Sequence, residues 1–194
     1  MLTEAGKRLP GIARAAIVEV LGMADRETAG AMAGAMADAA PWLREEGACF
    51  VTLKRSGHLR GCIGTLEAYR PLLADVQYNA VSAALRDSRF LPVTLGELVD
   101  MAIEVSVLSI PEPLSFKNQP EALAQLRPGL DGIVFEYRSF RSTFLPQVWE
   151  DLPQPDQFLA MLKQKAGLPA DFWAEGIRLS RYGVTKWHEA IEEY

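Results

Sequence analysis

The chain has 194 residues, 49% of them hydrophobic, which is enough to bury a core as one domain or as one domain with a smaller lobe. A formal net charge of −5 argues against a general nucleic-acid surface, which needs a basic stripe facing phosphates. Two cysteines and two histidines, dispersed as Cys49, Cys62, His58 and His188, lack the spacing of a zinc or iron–sulfur site, and nothing in the sequence suggests a carboxylate metal site.

At the N-terminus, Lys7, Arg8 and Arg14 interrupt the apolar stretch and Pro10 sits in its middle, unlike a signal peptide. No window approaches the roughly 20 apolar residues that span a bilayer. A soluble, cytoplasmic protein with reduced thiols is expected. Ile12 to Leu21 reads as a helix with Ile12, Ala16 and Val20 on one face. The small-residue repeat from Ala29 to Ala37 reads as a closely packed helix or a partly ordered insertion.

Ala48 to Arg55 has the β-branched and apolar content of a strand, Ser56-Gly57 suits a tight turn, and Leu59 to Thr65 returns as a second strand. If Arg55 pairs with His58, Leu53 faces Arg60, Val51 faces Cys62 and Cys49 pairs with Gly64. Arg60 and Cys62 then share a face, and no disulfide between the two cysteines is expected. Pro71 can open a helix in which Leu73, Val76, Ala80 and Ala84 recur up to Arg86-Asp87. Met101 to Leu108 alternates as a strand with Glu104 on its less apolar side. The stretches Ile110 to Pro113 and Leu152 to Pro155 read as turns or short connectors. Ile133 to Tyr137 and Phe140 to Leu145 form a second hairpin pairing Glu136 with Arg141. A helix follows Asp156 and stops at Gly167, and Ile177 to Trp187 reads as one final strand. Hairpins and helices without regular βα alternation predict an α+β fold with a largely antiparallel sheet and flanking helices.

The chemistry concentrates in His58-Leu59-Arg60-Gly61-Cys62-Ile63-Gly64-Thr65. A nearby cation favours a thiolate, and glycines expose amide groups that hold a carboxylate or phosphate. The same pattern fits an ordinary strand with a buried cysteine. Cys62 is therefore the candidate nucleophile or covalent carrier, with Arg60, Gly61 and Gly64 as its setting; His58, further along the strand, is a poor base. Arg86, Asp87 and Arg89 follow the end of a helix, where they can hold an anion or partner or simply offset the helix dipole. Gln147 offers a donor and an acceptor on a turn, or caps the local backbone. Trp149, Phe158, Phe172 and Trp173 read as packing aromatics, and no cofactor box is visible.

Leu59 to Thr65, Ala83 to Phe90, Gly129-Leu130-Asp131-Gly132-Ile133, Leu145-Pro146-Gln147-Val148 and Lys165-Ala166-Gly167-Leu168 occur in order. Together they resemble the AMME-syndrome chromosomal-region (AMMECR) protein family, whose prokaryotic members are called AmmeMemoRadiSam system protein A. The resemblance runs from about residue 48 to residue 187 of a single domain spanning 1–194; Ser88 departs from it, standing where the family usually has proline. It implies a main lobe, a smaller lobe and a cleft between them. It also implies association with a Memo-type protein, of a fold similar to non-haem dioxygenases, and with a radical SAM protein. With no cysteine triplet here, radical chemistry would belong to the partner. Two readings follow: a ligand- or partner-binding module, or an enzyme using Cys62 on a small anionic substrate held by Arg86 or Arg89.

Overall fold

Leu9, Ile12, Ala13, Ala16 and Ile17 recur three and four residues apart, and this stripe is the buried face of α1 (Leu9–Val20). Val20, expected on that face, is instead 52% exposed at the last turn. The computed structural model describes residues 6–22 and 40–189, so the small-residue repeat lies outside the described residues. The chain divides into two units, one of residues up to Val107 with those from Thr185 onward, the other Leu108–Val184.

In the first unit, β1 (Ala48–Arg55) and β2 (His58–Gly64) form the expected hairpin, closed by Ser56 and Gly57, both at positive φ. Pro71 caps α2 (Leu72–Leu85), and Thr94 caps the short α3 (Leu95–Leu98) through a capping box with Glu97. With β3 (Met101–Leu108) and the late strand β8 (Val184–His188), the sheet order is β2-β1-β3-β8. One sheet face sends Cys49, Val51, Leu53, Ile103, Val105 and Trp187 into a core shared with α1 and α2. Alternation places Thr52, Lys54, Cys62, Glu104, Lys186 and His188 on the opposite face.

The second unit contains β4 (Glu112–Pro113), α4 (Gln119–Leu123), β5 (Gly132–Tyr137), β6 (Phe140–Phe144), α5 (Pro155–Lys165) and β7 (Arg178–Tyr182). Its sheet order is β4-β7-β5-β6, with each neighbouring pair antiparallel. Glu136 pairs with Arg141 as expected, with an ion pair at 3.2 Å. Asn118 accepts from the Glu121 amide at 2.9 Å to start α4. Phe158 of α5 stacks on Trp149 at 3.7 Å between centroids and 7° between planes, and Trp149 donates to the Asp131 carbonyl at 2.7 Å. Asp131 is buried and also holds Arg127 at 2.6 Å. The Gly129 to Ile133 and Leu145 to Val148 motifs thus build this unit's core boundary.

Three expectations change. The segment Ile177 to Trp187 is two strands, β7 and β8, placed in different sheets with Gly183 between them. Glu112 and Pro113, expected in a turn, pair with Arg181 and Ser180 as a two-residue edge strand. The first hairpin slips its register: Arg55 pairs with His58 and Lys54 with Leu59, but Leu53 pairs with Gly61 and Thr52 with Cys62. Arg60 is the extra residue of a β-bulge, so the predicted partners beyond it move by one.

Candidate functional site

The bulge decides what surrounds the thiol. Cys62 now lies opposite Thr52, whose hydroxyl is 3.3 Å from Sγ, instead of opposite Val51. Arg60, swung out of register, turns to Glu97, with Nε at 3.0 Å and Nη2 at 3.2 Å from its carboxylate. The Arg60 bond and the Thr94 amide hold the Glu97 pKa down to about 2. Arg60 therefore carries a committed counter-ion and does not supply the thiolate's cation. Its Nη1 is buried without a hydrogen-bond partner among the described residues.

Asp87 and Arg89 come to Cys62 from the turn after α2. The Cys62 amide donates to Asp87 Oδ2 at 2.9 Å, and Arg89 Nη2 donates to the Cys62 carbonyl at 3.2 Å. Arg89 also grips Asp87 through Nε at 2.9 Å and Nη2 at 2.6 Å. β2 is an edge strand, so one peptide side is left without a neighbour. A carboxylate and a guanidinium two residues apart supply the acceptor and donor that a further strand would offer. The Arg89 bond, with the Cys62 and Arg89 amides, pulls the buried Asp87 carboxyl well below the usual carboxylate range. Arg89 is raised above its usual value first by Asp87, with a smaller contribution from Cys62. Arg89, then, and not Arg60, is the guanidinium bonded at Cys62, through the backbone carbonyl.

The two glycines answer a packing demand. A β-carbon on Gly61 would overlap the Ala83 carbonyl of α2, and one on Gly64 would overlap the Phe50 ring. What approaches the backbone at both positions is the protein itself. Arg86 closes α2, is exposed, and lies 5.9 Å from the Tyr78 ring. Gln147 is exposed on the 3-10 turn Pro146–Glu150 of the second unit.

Neither histidine can serve the thiol. His58 is four residues from Cys62 on the same strand, roughly 13 Å at about 3.3 Å per residue. His188 is on β8, three strand spacings away, or about 14 Å at about 4.8 Å each. Cys49 and Cys62 are free thiols on opposite faces of β1–β2. Burial, then the Asp75 charge, pushes Cys49 well above the usual thiol range. Among the described residues there is no group of three or more His, Cys, Asp or Glu able to hold a metal, and no helix long and apolar enough to cross a membrane.

Sequence reading missed Thr52 and Glu97. Thr94 followed three residues later by Glu97 is a capping-box signature that marks α3, whereas nothing local assigns Glu97 to Arg60.

An antiparallel α+β protein of two units, with a cysteine hairpin buttressed by an Asp-x-Arg turn, is the class these observations define. A family profile described as AMMECR1 matches residues 11–187, and the chain belongs to that family. It is 40% identical over 153 residues to Protein MJ0810 of Methanocaldococcus jannaschii, covering 75% of this chain and 74% of that one. A protein of Methanothermobacter thermautotrophicus is 40% identical over 152 residues, covering 75% and 77%. The crystal structure of the uncharacterized protein PH0010 from Pyrococcus horikoshii superposes with a TM-score of 0.73 at 32% identity, covering 96% of this chain and 92% of that one.

Proposed function

We propose that the chain is a binding module that presents the Arg60–Cys62 strand and the Arg86–Arg89 turn to a partner. One observation carries this reading: each charge around Cys62 is already answered within the protein, Arg60 by Glu97 and Arg89 by Asp87, while no histidine reaches the thiol. Such a site is rigid and preformed, and lacks the base that nucleophilic cysteine chemistry normally uses. Next to it, Arg86 is exposed and Leu91 is 83% exposed, an arginine and an apolar side chain of the kind that anchors protein interfaces. The resemblance names the partners to try: a Memo-type protein and a radical SAM protein.

The competing reading keeps Cys62 as a nucleophile or covalent carrier for a small anion, favoured by its partial exposure and by the Arg89 guanidinium bonded to its carbonyl at 3.2 Å. Two measurements separate them. Sedimentation of the purified chain with each partner from the same genome should show a complex that Arg86→Glu and Leu91→Asp weaken at least about tenfold. No complex with either partner at tens of micromolar, the range of weak specific association, rejects the binding reading. In parallel, alkylation against pH should label Cys62 slowly in the native state and Cys49 only after unfolding. A Cys62 that reacts at neutral pH much faster than an ordinary thiol points to the enzyme instead.

A further inference from the structure

On the same open face of the first sheet, but towards β8, lies a second charged group. Glu104 of β3 is only 8% exposed. Three basic side chains approach its carboxylate: Lys54 Nζ at 3.3 Å, His188 Nδ1 at 3.4 Å and Lys186 Nζ at 3.8 Å. The Ser106 hydroxyl donates to it at 3.4 Å. Lys54, Glu104 and His188 border a half-enclosed cavity of about 430 Å³, whose wall includes Ala102 and the Ser56–Gly57 turn. That volume falls within the range of small-molecule sites.

Charge balance tells what would enter. One carboxylate cannot offset two ammonium groups. Of the other acids on the cavity wall, Glu189 holds Arg14 at 2.6 Å, while Asp100, 4.0 Å from Arg55, is 67% exposed at its side chain, where water screens its charge. Lys54 and Lys186 are 43% and 40% exposed at their side chains, so both can re-aim without disturbing the core. We propose that this cavity binds a small organic anion through a carboxylate or phosphate group. Lys54 and Lys186 leave Glu104 to take the ligand, and Glu104 is the internal competitor that the ligand displaces. The site stands apart from the Arg60–Cys62 surface and does not depend on its reading.

The test is calorimetric titration of the full chain with inorganic phosphate and, separately, with succinate, at low salt and against potassium chloride as an ionic-strength control. Saturable binding of at least one probe is expected, and whichever binds more tightly assigns the ligand group. Lys54→Met and Lys186→Met should each weaken it at least tenfold, whereas Glu104→Gln should tighten it several-fold. Absence of saturation beyond the chloride effect overturns the proposal. So does binding that both lysine variants leave unchanged, or that Glu104→Gln weakens. Because the two lysines are exposed, their variants keep the test decisive even if Glu104→Gln does not fold.

Discussion

Replacing Asp87 with alanine removes the acceptor that meets the Cys62 amide at the open edge of β2. Its carboxylate is 4% exposed and receives the Cys62 amide at 2.9 Å and the Arg89 side chain at 2.6 Å. The stranded Cys62 amide costs about 1–3 kcal/mol, and the lost charge-assisted contact costs about 1 kcal/mol more, because the half-exposed Arg89 regains water. The expected loss is therefore about 3 kcal/mol at pH 7. Acid supplies a second signature. The folded-state pKa of Asp87 is depressed, so its contribution is full above the unfolded value of about 3.9 and fades as pH falls towards the folded one. One proton corresponds to about 1.4 kcal/mol per pH unit, so the gap between wild type and Asp87→Ala should narrow by about 1 kcal/mol between pH 7 and pH 3. Urea unfolding at both pH values measures the gap, and hydrogen exchange at the Cys62 amide reads the local opening. A variant within about 0.5 kcal/mol of wild type at pH 7, the usual effect of a bland surface change, or a gap that ignores pH, refutes the edge-closing role.

Gly61→Ala should cost about 1–3 kcal/mol in urea unfolding, because the new methyl meets the Ala83 carbonyl, a backbone atom that cannot rotate away; an unchanged midpoint would show that β2 does not press on α2. Lys163 is 1% exposed and donates to the Phe172 carbonyl at 3.0 Å, and burial lowers its pKa despite the nearby Asp171 charge. The fold disfavours the charged amine, so it loses stability as pH drops below the unfolded lysine value of about 10.4. Lys163→Met should raise the melting temperature at pH 7 by about 2–4 °C per kcal/mol gained, with the advantage vanishing above that pH; a lower melting temperature at pH 7 contradicts the account.

Local signals carried much of the architecture. Alternation located β3 residue for residue, and the Ser56-Gly57 dipeptide located the first hairpin. The bulge was hidden because its causes are distant: Arg60 bonds Glu97 across 37 residues, and Gly61 meets Ala83 of α2. A one-residue slip there exchanged the partner of Cys62 for Thr52 and turned Arg60 to Glu97, leaving Arg89 as the guanidinium bonded at the Cys62 backbone. The run from Ile177 to Trp187 has the composition of one strand, and only the pairing of Arg178–Tyr182 with β5 and of β8 with β3 divides it. Arg86-Asp87-Ser88-Arg89 was visible as a motif, with ligand or partner binding, dipole offset and an Asp87 clamp on an arginine all open; the clamp on Arg89 is present, but sequence does not reveal that it serves Cys62 on an edge strand.

The division of that run also bears on how the chain matures on the ribosome. β8 and its Trp187 complete the first sheet and core, yet all of β8 beyond its first residue emerges after the second unit. At roughly 5–20 residues per second, residues 108–184 take about 4–15 s to synthesise. Through that interval β3 presents the open edge that β8 will later cover, while the second unit can already fold. Nascent chains stalled within the second unit are thus the form of this protein most exposed to wrong strand pairing.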